Sequence, residues 1–217
     1  MLDGFTVRVA SCDRLNQLID VVTRIDALGE LINDLMVFAR PRPPHPAVFE
    51  LRPLLLEAMA MLRRDPANAS LEVTIDGPDV TLTADADLIR ATVLNLLLNA
   101  AQAMGGHGRI AIAVAIATEQ RDQRCILEIR DSGPGIPAPL REQVFEPFFT
   151  TKARGGGLGL AIARRTAELH GGALTLTCPD TGGTVFTMTV PLRALADVQV
   201  PVGSSESVGV ASQPRVP

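Results

Sequence analysis

Apolar residues in the first forty positions recur every three or four places. Leu18, Val22, Ile25, Gly29, Ile32 and Met36 alternate steps of four and three, a heptad seam broken only by Gly29. Leu15, Ile19, Leu28 and Leu35 widen the stripe, and the pattern predicts a helix over residues 13–39. The run RPRPPHP (Arg40–Pro46) ends it, because proline cannot donate the next backbone bond. A stripe this broad requires a helical partner, and residues 1–12 are too short to supply one. The partner is expected in another copy of the chain or in a segment of a longer parent protein.

After the prolines the period changes. LRPLLLEAMAMLRR (51–64) reads as an apolar helix, LEVTI (71–75) and VTLTA (80–84) as strands. Asp85 is a good N-cap for the strongly apolar helix 86–104, which Gly105 and Gly106 should end. Strands follow at 109–117 and 124–130, then a glycine-rich stretch, a helix at 158–169, and strands at 173–178 and 184–191. The expected organisation is a helical segment over 1–40 containing the helix 13–39, a proline-rich linker over 41–50, an α/β domain over 51–192 and a disordered tail over 193–217.

The 217 residues are 47% apolar, enough to bury a real core. No apolar run approaches the roughly 18–20 residues that span a bilayer, and the start lacks a signal peptide's basic-then-apolar order. The segment is expected to be cytoplasmic without membrane contact, with a membrane-anchored parent left open. Net charge is −4 with no basic block, which argues against nucleic acid as a partner. Cys12, Cys125 and Cys178 are isolated and have no metal-ligand spacing, so they read as reduced packing thiols.

Four stretches carry candidate chemistry. Asn95 and Asn99 are four apart and share a face of helix 86–104. They are either buried amides bonded to nearby loops or oxygen ligands for a divalent cation. In RDSGPGIP (130–137), Asp131 ends a strand, where its carboxylate can accept from an exocyclic amine. Gly133 and Gly135 would let a flat ring approach the backbone; the plain alternative is a turn. In VFEPFFTTK (144–152), Phe145, Phe148 and Phe149 should anchor a segment short of structure, and Lys152 could reach a phosphate or simply be solvated. Finally, GGGLGLAIARR (155–165) feeds glycines into a helix N-terminus, which suits phosphate or serves as a flexible linker. No Gly-Lys-Ser/Thr follows it, and Ile162 breaks a G-x-G-x-x-G reading.

Their order is more specific than any one of them. Asn95…Asn99, DSGPGIP, FEPFFTTK, GGGLGLA and GGTVFTM in series resemble the ATP-binding domain of sensor histidine kinases, over roughly Ile25 to Leu192. In that family's terms they are similar to the N, G1, F and G2 boxes of the Bergerat fold, shared with gyrase and MutL. The resemblance implies a two-layer α/β sandwich with a mixed sheet, preceded by a long helix. It implies ATP and Mg²⁺ as ligands, with Asn99 as metal ligand and Asn95 supporting the same polar site. Asp131 would bind the adenine amino group, Gly133 and Gly135 would make room for the base, and Thr184 would lie near it. Gly157, Leu158 and Gly159 would form a lid over the phosphates, with Lys152 a further phosphate candidate. The implied partners are a histidine-bearing dimerisation hairpin and a response regulator.

The chain departs from the family in one respect. The acceptor histidine belongs on the first hairpin helix, whereas residues 13–39 are similar to the second. His45, His107 and His170 are the histidines here, and none precedes an acid in a helix. Transfer is therefore expected to a histidine from another segment or chain, without self-phosphorylation of this polypeptide. Three other readings compete. Gyrase-like hydrolases place a glutamate base four residues before the metal asparagine, where this chain has Asn95, which cannot take a proton. Serine kinases of the anti-sigma type usually also carry a carboxylate there and lack a helix like 13–39. A non-catalytic or weakly hydrolysing nucleotide-binding module of the same fold would use the heptad stripe for interaction.

Overall fold

The computed structural model describes residues 43–119, 122–152 and 156–192. The heptad helix expected over 13–39 and the tail over 193–217 lie outside them. The elements are β1 (Ala47–Glu50), α1 (Leu51–Leu62), β2 (Ser70–Asp76), β3 (Thr81–Ala84), α2 (Ala86–Ala103), β4 (His107–Glu119), β5 (Asp122–Asp131), α3 (Gly159–Leu169), β6 (Ala173–Thr177) and β7 (Val185–Pro191). Short 3₁₀ turns cover Pro66–Asn68, Ala138–Leu140 and Gln143–Phe145.

The main sheet has the order β2-β4-β5-β7-β6. It is mixed: β2 runs parallel to β4, and the other pairs are antiparallel. The alternation seen in the sequence is what makes it one-sided. Ile110, Ile112 and Val114 of β4, Cys125, Leu127 and Ile129 of β5, and Phe186, Met188 and Val190 of β7 are all buried. They form one core with Leu51, Leu54 and Leu55 of α1 and Ile89, Val93, Leu96 and Leu97 of α2. Helices α2 and α3 lie on the sheet and α1 packs on α2, giving two layers. Burial pushes the Cys125 thiol up to about 11, so this cysteine is a protonated packing group.

One short element departs from the expected boundaries. Residues 47–50, taken as linker, form β1 and pair antiparallel with β3, Ala47 opposite Ala84 and Glu50 opposite Thr81. Four residues after a run of prolines carry too little alternation to reveal a strand.

Helices α2 and α3 carry the site; α2 is closed at both ends and α3 at its C-terminal end. Asp85 Oδ1 accepts from the N–H groups of Asp87 and Leu88 at the start of α2. At its end Gly105 (φ 63°) donates to Gln102 O, and Gly106 to Ala101 O. The end of α3 repeats this double closure, Gly171 (φ 70°) donating to Glu168 O and Gly172 to Ala167 O. The left-handed residue in each is glycine because a β-carbon is strained there. His170, buried between the helices, joins them: its Nε2 accepts from Asp85 N–H at 3.0 Å, and its Nδ1 lies 2.8 Å from Thr166 O. The first bond makes Nε2 the acceptor, so Nδ1 carries the proton and donates to Thr166 O.

Candidate functional site

Between α2, the β5 end and the start of α3 lies a cleft of about 500 Å³. Asn95, Asn99, Asp131, Gly135, Lys152, Gly157, Leu158, Gly159 and Thr184 all line it. Of the residues singled out in the four candidate stretches, Gly133, Phe145 and Phe148 are not among the lining.

Gly133 does something else. Its N–H donates to Asp131 Oδ1 at 2.8 Å, closing a two-residue turn on the carboxylate. A β-carbon there would stand 2.9 Å from that same oxygen. In this structure it makes room for the acid. Thr184 N–H also donates to Oδ1, at 3.1 Å, while Asp131 N–H donates to Thr184 O at 2.9 Å. The strand ends of β5 and β7 thus clasp each other through one carboxylate, whose residue is only 5% exposed. Among the described residues Asp131 Oδ2 has no protein partner. The loop is also tied to β4, since Ser132 Oγ accepts from Arg109 N–H and donates to Met104 Sδ. Gly183 (φ 83°), in GGTVFTM but given no role of its own there, is required because a β-carbon would stand 2.1 Å from Asp131 O. Gly135 (φ 77°) lines the cleft, and a β-carbon there would stand 3.0 Å from Gly183 O.

At the other end, Asn95 and Asn99 face the cleft from successive turns of α2. Asn95 is pressed against α3: a β-carbon on Gly159 would lie 2.4 Å from Asn95 Oδ1. Asn95 Nδ2 is buried without a hydrogen-bond partner among the described residues. Gly159 is therefore the contact point of two helices and the first residue of α3. Gly157 (φ 65°) is likewise pinned, its carbonyl accepting from Phe148 N–H at 3.0 Å, with Phe148 and Phe149 backbone atoms where a side chain would go. Leu158 is fully buried. No side chain caps α3, so its first N–H groups face the cleft mouth without a side-chain acceptor.

Lys152 reaches across to α2. Its ammonium donates to Asn99 Oδ1 at 2.7 Å and to Gln102 Oε1 at 2.5 Å. The residue as a whole is exposed, but the ammonium tip is partly desolvated, which pulls its pKa below lysine's ordinary value. Gln102 went unnoticed in the sequence, although it lies three residues beyond Asn99 on the same helix face. The phenylalanine cluster is also less uniform than expected. Phe145 is buried edge-on against Phe186 at 6.4 Å, with Arg164 5.2 Å from its ring centroid. Phe149 is half-buried, but Phe148 is 59% exposed with φ 67° and anchors nothing.

Among the described residues no three His, Cys, Asp or Glu side chains converge to hold a metal. The Asn99 carboxamide oxygen, which already accepts from an ammonium, is a neutral oxygen donor of the kind that suits a hard divalent cation such as magnesium, and Asn99 would hold it there.

Fold and cleft together define a nucleotide-binding catalytic domain of the histidine-kinase kind. Full-length ShkA in complex with AMPPNP superimposes with a TM-score of 0.70 at 26% identity, covering 85% of this chain and 40% of that one. ThkA in complex with the response regulator TrrA gives 0.67 at 26%, covering 87% and 56%. The mycobacterial sensor histidine kinase MprB gives 0.61 at 29%, covering 70% of this chain and all of that one. Residues 84–194 match the model of the histidine kinase-, DNA gyrase B- and HSP90-like ATPase family, and the chain belongs to that family. Among its relatives, the signal transduction histidine-protein kinase AtoS of Escherichia coli K12 is 31% identical over 175 residues, which is 80% of this chain and 28% of AtoS. The sensor histidine kinase ZraS of the same organism is 28% identical over 192 residues, 87% of this chain and 40% of ZraS. The chain thus spans well under half the length of these relatives. No helix among the described residues is long and apolar enough to cross a membrane.

Proposed function

We propose that this chain binds Mg²⁺·ATP and transfers the γ-phosphoryl group to a histidine supplied by another segment or chain, as the cytoplasmic catalytic part of a two-component sensor kinase. The observation that carries the reading is the Asp131 clasp. A buried carboxylate, held by two backbone N–H groups on one oxygen, is left with its other oxygen for an amine donor at the cleft. That suits the exocyclic amine of adenine, with Gly135 and Thr184 beside the base. Asn99 would hold the metal and Asn95 its neighbouring polar wall. Bound magnesium would neutralise and bridge phosphate oxygens. The uncapped N-terminus of α3, with Gly157, Leu158 and Gly159, would face the phosphates.

Two features favour transfer to an outside acceptor over hydrolysis or self-labelling. Asn95, a carboxamide wedged against Gly159, cannot take a proton from water. His170 spends both ring nitrogens on Asp85 and Thr166, and His107 Nδ1 sits 2.8 Å from Gly105 O. The heptad stripe over 13–39 would pair with the acceptor-bearing helix, in a homodimer or a longer parent chain, and a response regulator would take the phosphoryl group onward.

Calorimetric titration with Mg²⁺·ADP and Mg²⁺·AMPPNP tests the binding. Labelled ATP plus a separate acceptor hairpin from a relative tests the transfer: acid-labile label is expected on the hairpin and none on this polypeptide. Absence of nucleotide binding would overturn the proposal.

A further inference from the structure

Lys152 is the single lysine among 217 residues; apart from the three histidines, every other basic side chain is arginine. Its ammonium sits between Asn99 Oδ1 and Gln102 Oε1, which face the cleft from adjacent turns of α2. Its own N–H donates to Thr150 Oγ1 at 3.1 Å, closing a short turn at the residue. Asn99 Oδ1 is also the oxygen that the proposed function gives to magnesium. An ammonium and a divalent cation on one carboxamide oxygen repel each other at contact distance. The two occupancies exclude each other, and lysine suits an exchange better than arginine would. It is a compact point charge on a flexible stem, whereas the guanidinium is a planar fork suited to fixed bidentate pairing.

Resting on the nucleotide reading above, we propose that Lys152 is a resident cation of the metal position. It holds Asn99 and Gln102, yields the Asn99 oxygen to the divalent cation that arrives with a nucleotide, and pairs with the nucleotide's phosphates. Gln102 is the positioning residue that perches the ammonium within reach of both partners. No bond is made or broken in this exchange; one cation replaces another on an oxygen donor. The site consequently keeps a positive charge for phosphate when magnesium is scarce.

The test uses the full chain and ADP, measured by calorimetry with and without Mg²⁺. For the wild type, removing Mg²⁺ should weaken ADP moderately, because the ammonium remains. For K152M the ratio of metal-free to metal-bound dissociation constants should rise about tenfold, the worth of one charge-assisted hydrogen bond. If K152M weakens ADP equally with and without Mg²⁺, Lys152 is a phosphate ligand only and the exchange is wrong. If the wild type binds no Mg²⁺·ADP at all, the nucleotide reading itself fails, a distinct result. A second readout needs no nucleotide. With ¹³C-labelled lysine the chain gives one Cε methylene signal. Q102L should shift it in the free protein, and Mg²⁺·ADP should shift it in the wild type. An unmoved signal in Q102L would remove the perch and with it the proposal.

Discussion

The two ends of the cleft are made of different material. At the Asp131 end the fixing groups are backbone: the N–H groups of Gly133 and Thr184, the Asp131–Thr184 pair of strand ends, and Gly183 packed against a carbonyl. At the Lys152 end the contacts are side chain to side chain, on an exposed residue with a flexible stem. Backbone clasps between paired strands have one arrangement. An ammonium shared by two carboxamides has several of similar energy. The first suits a group that must be recognised, the second a group whose charge and ligands change during binding and transfer.

The largest effect should come from disturbing the backbone end. Gly183→Ala places a β-carbon 2.1 Å from Asp131 O on a residue with φ 83°, so strain and overlap act together. A loss on the order of 3 kcal/mol of unfolding free energy is expected, with no measurable ADP binding. Denaturant titration and calorimetry read both. Near-normal stability with normal binding would show that the clasp is not rigid.

Asp131→Asn comes next and leaves the fold alone, because the carboxamide oxygen can still accept from Gly133 and Thr184. The other side-chain atom becomes a donor facing a donor amine. ADP should bind roughly thirtyfold more weakly, about 2 kcal/mol, and a 6-oxopurine diphosphate should gain relative to it. Parallel titrations with ADP and IDP check the exchange of preference; an unchanged ratio would remove Asp131 from base recognition.

This contrast also explains what the sequence disclosed. Helix ends were legible because Asp85 and the Gly-Gly pairs have few other uses, and strands β4, β5 and β7 because one wet face forces alternation. Strand order was not, since nothing in β2 records that it runs parallel to β4. Within the site, residue types were legible and jobs were not. Gly133 and Gly135 look equivalent in DSGPGIP, yet the first serves the carboxylate and the second lines the cleft. Phe145 and Phe148 look equivalent in VFEPFF, yet the edge-on contact with Phe186 claims one and a positive φ turns the other outward. Gln102 was readable from helical spacing but is an unremarkable residue until Lys152 is seen upon it.

Gly159→Ala probes the seam between the two ends. The added carbon meets Asn95 at the tip of a side chain that can rotate, and alanine is the better helix former. Stability should stay within about 1 kcal/mol of the wild type, while Mg²⁺·ADP binds about tenfold more weakly as Asn95 is turned away. Equal affinity would mean that the position of Asn95 is immaterial to the nucleotide.

The smallest change asked of the backbone end is Thr184→Val. The side chain is 3% exposed and nearly isosteric with valine, and the contact to Asp131 Oδ1 comes from the main-chain N–H, which valine retains. If the clasp is a backbone device, Asp131 keeps its place and only a hydroxyl beside the base is lost. That costs about 1 kcal/mol, or roughly fivefold in ADP affinity, with the ADP-to-IDP preference unaltered. A loss as large as that of Asp131→Asn, or a changed base preference, would mean that the hydroxyl itself reads the base, and that the backbone end depends on side chains as much as the Lys152 end does.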